Sequence, residues 1–148
     1  MIIRLHHAAV LTANMDDAIS HYVEILRCKT PKIVQVDKPG ARFRSAMLSI
    51  GTNGESFLQL LEPSEGPGLD NLEKGGEGTI FEIAFAVDNI EEFYDNMAGK
   101  GVIPVDFAGG QFSGKYIVSS FGNRYFFLPK TQTRGTRTEI LQVMQKTY

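Results

Sequence analysis

A weak internal repeat is the feature of this sequence that most limits the folds open to it. The first copy, LHHAAVLTANMDDAISHYVEIL, has an alternating or apolar run, then polar cap residues, then apolar residues at helical spacing. The second copy, IFEIAFAVDNIEEFYDNMAGKGV, keeps that order, with Asp88 or Asn89 in the capping position. Aligning Met15 with Ile90 gives an offset of 75 residues. Each copy therefore predicts a strand followed by a helix.

Strand-like runs complete each copy of the repeat. They are KIVQV, RFRSAMLSI and SFLQLLEP in the first copy, and GKYIVSSF, NRYFFLP and RTEILQV in the second. The sequence thus predicts an α+β protein with two βαβββ modules in tandem, at about 3–63 and 80–145, joined by a connector at 64–79. A small sheet with one helix exposes an apolar face, which a twin module covers. We expect a single domain over 1–148, with a curved mixed sheet around a central cleft.

Composition and charge exclude several classes of function. A chain of 148 residues with 43% hydrophobic residues is long enough to bury one core. Its formal net charge of −2 lacks the basic excess that is typical of nucleic-acid-binding proteins. No apolar run approaches the length of a membrane-spanning helix, and the lone cysteine, Cys28, has no partner for a disulfide within the chain. The sequence predicts a cytoplasmic protein without nucleic-acid or membrane partners.

Four polar side chains fall in predicted strands at equivalent places in the two copies. His7 aligns with Glu82 at the offset of 75, and Gln59 aligns with Glu139 at an offset of 80. One imidazole with amide and carboxylate oxygens suits a divalent cation, and Mg, Mn, Co, Ni and Zn are all compatible. Taken singly, each residue is more simply a solvent-facing side chain of a half-exposed strand. Their recurrence in both copies favours a metal site.

Other polar residues are candidates for contact with a substrate. Arg42 and Arg44 are two apart in a predicted strand, so they share one face and could bind a carboxylate or phosphate, although solvated strand residues are the favoured interpretation. The stretch GGQFSGKY approaches a phosphate-binding loop, but Tyr116 replaces the hydroxyl residue that holds magnesium, and no helical pattern follows. A flexible glycine-rich loop is the simpler interpretation, with Lys115 and Tyr116 as candidates for substrate contact.

The chain resembles the vicinal oxygen chelate superfamily, whose members have the glyoxalase-like fold, and within it the methylmalonyl-CoA epimerase and glyoxalase I groups. The segments that carry the resemblance are LHHAAVLTANMDDAISHYVEIL, FLQLLEP, IFEIAFAVDNIEEFYDNM and FLPKTQTRGTRTEILQ. The resemblance implies that one divalent metal ion has four ligands, which are His7, Gln59, Glu82 and Glu139. The epimerase pattern usually has histidine at the position of Glu82. The added negative charge of a glutamate weakens a bound ion as a Lewis acid, or else the site has lost its metal.

The resemblance also implies a function. Superfamily members often act on a carbon next to a carbonyl, where a metal ion holds the oxygen and a carboxylate moves a proton. We therefore expect a metal-dependent isomerase, epimerase or lyase acting on a small carbonyl substrate, with an acyl-CoA thioester among the options. Glu139 is the preferred base and Glu82 the alternative. A homodimer is expected from the resemblance alone.

The superfamily includes three other functions that are alternatives to this one. The first is a metal-free binding protein like the drug-sequestering resistance proteins, and Glu82 in place of histidine gives it weight. The second is a glutathione-dependent lyase like glyoxalase I, although no segment identifies a pocket for a thiol conjugate. The third, an iron dioxygenase, requires a second histidine beside His7. It is disfavoured because His6 points to the other side of the strand and His21 lies on the first helix.

Overall fold

A computed structural model of the protein describes residues 1–144, which form eight strands and three helices. The strands are Ile2–Leu11 (β1), Ile33–Lys38 (β2), Ala41–Ile50 (β3), Ser56–Glu65 (β4), Ile80–Val87 (β5), Ile117–Val118 (β6), Arg124–Leu128 (β7) and Thr138–Gln142 (β8). The helices are Met15–Leu26 (α1), Pro67–Gly75 (α2) and Ile90–Ala98 (α3). The sheet order is β2-β3-β4-β1-β5-β8-β7-β6.

The sheet is mixed, and its pairing pattern occurs twice. The first strand of each half pairs in parallel with the last, β1 with β4 and β5 with β8. The remaining pairs, β2 with β3, β3 with β4, β6 with β7 and β7 with β8, are antiparallel. The predicted α+β class and the βαβββ order of both modules are therefore confirmed. The predicted end of the second module, residue 145, lies outside the described residues.

Contacts divide the described residues into two compact units, residues 7–81 and residues 1–6 with 82–144. In the unit of residues 7–81, α1 covers one face of β3 and β4. Its buried core consists of Met15, Ile19, Ala46, Leu48 and Leu60, and Cys28 packs against this cluster. Because side chains alternate along a strand, the odd-numbered residues near Leu60 on β4 point to the opposite face. Gln59 therefore lies on the face that α1 does not cover.

The second unit separates its side chains in the same way. On the α3 side, the buried cluster consists of Val87, Ile90, Phe126 and Ile140. On the other face, a second cluster consists of Ala84, Tyr125, Phe127 and Leu141. Glu139 precedes Ile140 on β8, so strand alternation puts it on the face that α3 leaves uncovered.

Asparagine side chains cap the first turns of α1 and α3 in the same manner. The Asn14 side chain accepts a hydrogen bond from the backbone N–H of Asp17. The Asn89 side chain accepts from the N–H groups of Glu91 and Glu92. Such caps satisfy N–H groups that have no partner inside a helix. Of the two caps that the sequence allowed for α3, the structure selects the asparagine.

The last strand of each half also holds the first residue of its helix. The N–H of Met15 donates to the Glu62 carboxylate on β4 at 2.5 Å. The N–H of Ile90 donates to the side-chain Oε1 of Gln142 on β8 at 3.4 Å. Met15 and Ile90 are the pair aligned by the sequence repeat, so the repeat extends to the way in which each helix is anchored.

The predicted connector contains a helix that the sequence pattern did not reveal. Strand β4 continues to Glu65, and α2 occupies nine residues from Pro67. Proline is favoured at the first position of a helix because its missing N–H would have no helical partner there. Gly68 is buried against the rings of Pro63 and Phe81. The helix has only two large apolar residues, Leu69 and Leu72, so no apolar stripe indicates it, whereas the equally short α3 has four such residues at helical spacing.

The helices of the described residues are short. The longest, α1, has 12 residues. Within residues 1–144 no helix has both the length and the apolar composition needed to cross a membrane.

Candidate metal centre

Three of the four residues predicted to bind a metal come together in the structure. His7 lies on β1, Glu82 on β5 and Glu139 on β8. One ligand atom from each lies within 4.8 Å of the others. His7 is 6% exposed and Glu82 5% exposed, while Glu139 is half-buried. A molecule from solvent can therefore reach Glu139 more readily than the other two.

Strand register explains why the two glutamates share a face. Ala84 is the partner of Glu139 across the parallel β5–β8 pair. Residues opposite each other on neighbouring strands point to the same side, and Glu82 is two residues before Ala84. The two carboxylates therefore project from one face of the sheet, beside the cluster that contains Phe127.

Gln59, the fourth predicted ligand, lies on β4 with one side-chain atom in a hydrogen bond and the other without one. Its Nε2 donates to the Ser45 hydroxyl at 2.9 Å. Its Oε1 is buried and has no hydrogen-bond partner within the described part of the chain. Ala9 on β1 is its register partner, and strand alternation gives His7 the same face as Ala9. A buried carbonyl oxygen without a partner is costly unless something binds it, and a cation would do so.

Arg137 is the residue of this site that sequence reasoning missed. Its Nε lies 3.1 Å from Oε2 of Glu82, and both side chains are more than nine-tenths buried. Its Nη2 donates to the carbonyl oxygen of Phe107 at 2.5 Å. The guanidinium carbon also lies 4.2 Å from the centre of the Phe107 ring and 4.4 Å from that of Phe127. Contacts on several sides hold the guanidinium beside Glu82.

The contact with Arg137 offsets the negative charge of Glu82. The sequence suggested that a glutamate at this position adds a negative charge to the metal site. In the structure the carboxylate and the guanidinium form an ion pair, and the pair carries no net charge. One signal in the sequence was available: Arg137 precedes Glu139 by two residues, which is the spacing of side chains on one strand face.

The described donors fit a divalent cation. Oxygen or nitrogen ligands of such an ion lie about 2.0–2.6 Å from it, so their mutual distances are a few ångströms. The 4.8 Å limit on the spacing of the three ligand atoms is compatible with that geometry. One imidazole and two carboxylates suit Mn, Co, Ni or Zn, and the unpartnered oxygen of Gln59 would be a further hard donor if it reached the ion. The four residues that would hold the ion are His7, Gln59, Glu82 and Glu139.

Arg42 and Arg44 do not share the surroundings of Gln59. Arg42 is half exposed and pairs with Asp37 at 3.1 Å, and this hydrogen bond is the main cause of the raised pKa of its guanidinium. Arg44 pairs with Asp16 on α1 at 3.0 Å, so it lies on the helix-covered face of the sheet. Gln59 projects from the opposite face. The sequence put both arginines on one face, and β3 keeps a continuous register with β2 from Arg42 to Arg44. The irregularity between residues 42 and 43 arises on β4, where Ser64 is the extra residue.

Lys115 and Tyr116 lie on the α3 side of the second unit. The Lys115 ammonium pairs with Asp95 of α3 at 2.6 Å, and this hydrogen bond is the main cause of its raised pKa. The Tyr116 ring packs against the α3-side cluster, and the guanidinium of Arg124 lies 4.4 Å from its centre. Glu139 points to the other face. Substrate contacts for these two residues and for both arginines stay predictions, without support from their surroundings.

Solved structures with this fold include several methylmalonyl-CoA epimerases. One, in complex with methylmalonyl-CoA, is 26% identical, with a TM-score of 0.79 over 97% of this chain and 96% of that chain. A Streptomyces coelicolor epimerase variant in complex with 2-nitronate-propionyl-CoA is 25% identical, with a TM-score of 0.80 over 100% and 99% of the two chains. The Mycobacterium tuberculosis epimerase is 21% identical, with a TM-score of 0.77 over 98% and 91%. This last likeness shows the fold alone.

Sequence comparison identifies the family. No curated protein matches the chain. The family model described as the glyoxalase/bleomycin resistance protein/dioxygenase superfamily matches residues 4–119, which is well over half of the chain. The match agrees with the paired βαβββ order and with the superfamily predicted from the sequence. The chain belongs to the glyoxalase/bleomycin resistance protein/dioxygenase superfamily.

Proposed function

We propose that this protein is a divalent-metal-dependent epimerase that acts on the carbon next to the carbonyl of an acyl-CoA thioester. The observation that carries the proposal is the cluster of His7, Glu82 and Glu139, whose ligand atoms lie within 4.8 Å of one another. The likeness to an epimerase in complex with methylmalonyl-CoA, at 26% identity over nearly the whole of both chains, supports this substrate class. An isomerase or lyase of another small carbonyl compound is the broader form of the proposal.

A divalent ion at this site would stabilise negative charge on the carbonyl oxygen of the substrate. Glu139 is the proposed base: its carboxylate takes the proton from the adjacent carbon, and the electrons of the broken C–H bond delocalise towards the carbonyl. A proton from water adds to the opposite face of that carbon, and Glu139 releases the proton that it took to solvent, which completes the epimerisation. Glu139 is preferred over Glu82 because it is half-buried and therefore accessible, whereas Glu82 is 5% exposed and engaged by Arg137.

The proposal is tested by metal analysis and by proton exchange. Protein purified without an affinity tag is expected to contain about one divalent ion per chain by mass spectrometry, and the His7→Ala variant is expected to lose it. Incubation with methylmalonyl-CoA in deuterium oxide should replace the proton on the carbon between the two carbonyl groups, as followed by proton NMR. We expect Glu139→Gln to slow this exchange by about 10²–10⁴-fold.

A matched control separates catalysis from general damage. Glu73 is an exposed residue of α2, so Glu73→Gln makes the same chemical change away from the cluster and should leave exchange unchanged. Full exchange activity in Glu139→Gln would remove Glu139 as the base. Exchange that persists in a protein without any metal would remove the metal from the proposal.

One observation favours a second candidate, a metal-free binding protein. Arg137 already provides Glu82 with a counter-ion, so this buried carboxylate is compensated without a metal ion. If no ion is retained after reconstitution with Mn, Co, Ni or Zn, and no proton exchanges, the binding function replaces the epimerase. A glutathione-dependent lyase is distinguished by a direct assay with methylglyoxal and glutathione.

We also propose that the protein is a homodimer and that it is located in the cytoplasm. The homodimer is proposed from the resemblance to the superfamily, and ultracentrifugation of the purified protein tests it. The cytoplasm is proposed because the chain has a single cysteine, which is half-buried and outside any disulfide. Fractionation of the source cells tests the location.

A further inference from the structure

We propose that Arg137 is a positioning residue that sets how tightly the metal centre binds its ion. The inference rests on the proposed metal dependence and adds a residue that the ligand set does not contain. Arg137 holds one carboxylate oxygen of Glu82 and places a fixed positive charge beside the site. It therefore competes with the divalent cation for the same carboxylate.

The geometry leaves Arg137 little freedom to move away when a cation arrives. Its Nε donates to Oε2 of Glu82 at 3.1 Å, and its Nη2 donates to the carbonyl oxygen of Phe107 at 2.5 Å. The rings of Phe107 and Phe127 lie 4.2 and 4.4 Å from the guanidinium carbon. Its side chain is only 9% exposed. An arginine held this firmly keeps its positive charge in place beside Glu82.

The charge of Arg137 determines the direction of its effect on metal affinity. Like charges repel strongly where water is excluded, so a guanidinium beside the ligand set weakens the binding of a dication. Removing the guanidinium should strengthen binding, whereas damage to the fold can only weaken it. Removing Glu82 alone should weaken binding severely, because it deletes a ligand and leaves the arginine without its carboxylate. Removing both members of the neutral pair should cause a much smaller change.

Cobalt binding provides the test, because bound Co²⁺ absorbs visible light and the ion can be titrated without any substrate. We expect the Kd for Co²⁺ to fall about tenfold or more in Arg137→Gln, from the loss of one positive charge near the ion. Arg137→Lys keeps the charge, so its Kd should stay close to that of the wild type. Arg124→Gln is the matched control. Arg124 also pairs with a glutamate, Glu91 at 3.4 Å, and stacks on an aromatic ring, but it lies on the α3 side.

Two further variants keep the test decisive if Arg137→Gln does not fold. Glu82→Gln is expected to raise the Kd for Co²⁺ by about a hundredfold. The double variant Glu82→Gln/Arg137→Gln is expected to recover most of that loss, because the repelling charge is gone. A folded Arg137→Gln protein with an unchanged or higher Kd would overturn the inference, as would a double variant that binds no better than Glu82→Gln. Absence of Co²⁺ binding in the wild type would instead overturn the proposed function and the inference with it.

Discussion

The side-chain amide of Gln59 is oriented by Ser45, whose hydroxyl accepts a hydrogen bond from Nε2 at 2.9 Å. Because the nitrogen is engaged in this way, the oxygen Oε1 is the atom left for another partner. We expect Ser45→Ala to weaken binding of a divalent ion by about tenfold, the size typical of lost contacts behind a metal ligand. Titration with Co²⁺ measures the effect.

Ser49 offers a matched control for Ser45. It lies four residues further along the same strand, on the same face, and is exposed. Ser49→Ala removes a hydroxyl group that is not hydrogen-bonded to Gln59 and should leave the Kd for Co²⁺ unchanged. Equal effects of the two substitutions would mean that Ser45 does not act through Gln59.

The contact of Glu62 with the start of α1 predicts a loss of stability. Its carboxylate accepts the N–H of Met15, and a negative charge there also interacts favourably with the helix dipole. Glu62→Gln should lower the free energy of unfolding by about 1 kcal/mol, as measured by urea denaturation. Glu65→Gln, at the exposed end of the same strand, should change it by less than about half as much.

Gly66, at the start of α2, is predicted to tolerate no side chain. Its φ is 89°, and a Cβ there would lie 2.1 Å from the carbonyl oxygen of Gly40. Gly66→Ala should destabilise the protein by about 3 kcal/mol or more, because it combines backbone strain with a clash against backbone. Gly76 at the other end of α2 has a similar φ of 79° but open space around it. Gly76→Ala should therefore cost only the backbone strain of its extended, positive-φ conformation, about 1–3 kcal/mol.

The free energy of unfolding is expected to depend on pH through the carboxyl group of Glu77. The hydrogen bond from the backbone N–H of Ala13 and, to a smaller extent, that from the Thr12 hydroxyl lower the pKa of this carboxyl below its ordinary value of 4.5. A lowered folded-state pKa means that the carboxylate stabilises the fold above pH 4.5 and that this contribution is lost as pH falls through the folded value. The difference in stability between the wild type and Glu77→Gln should therefore shrink on acidification.

Carbon-detected NMR of the Glu77 carboxyl gives its pKa directly. Thr12→Val removes the weaker of the two hydrogen bonds and should raise that pKa part of the way towards 4.5, because the Ala13 N–H remains. A titration midpoint at or above 4.5 in the wild type would contradict the prediction.

The order of the elements could be predicted because the sequence repeats. A repeat shows which residues of the two halves are equivalent, even when they are far apart in the sequence. Aligning Met15 with Ile90 paired the two helix starts, and it paired His7 with Glu82 without any knowledge of contacts. The structure brings both of these residues together with Glu139. Alternation along strands then accounts for the face on which each glutamate lies.

The features that could not be predicted depend on residues distant in sequence. Arg137 and Glu82 are 55 residues apart, and the repeat aligns Glu82 with His7 rather than with Arg137, so the repeat does not connect the two. Lys115 was expected beside the substrate, but its charge is taken up by Asp95 on α3, 20 residues away. Such pairings are decided by packing, which a periodicity cannot encode.

The anchoring of each helix by a later strand has a consequence for the order in which a nascent chain can fold. Glu62 is made 47 residues after Met15, and Gln142 is made 52 residues after Ile90. During synthesis on the ribosome, the N–H of Met15 therefore has no Glu62 to donate to until most of the first half has emerged. The N–H of Ile90 likewise has no Gln142 to donate to until most of the second half has emerged. Synthesis completes the two halves one after the other, and a chain stalled before Gln142 has its first helix anchored and its last one not.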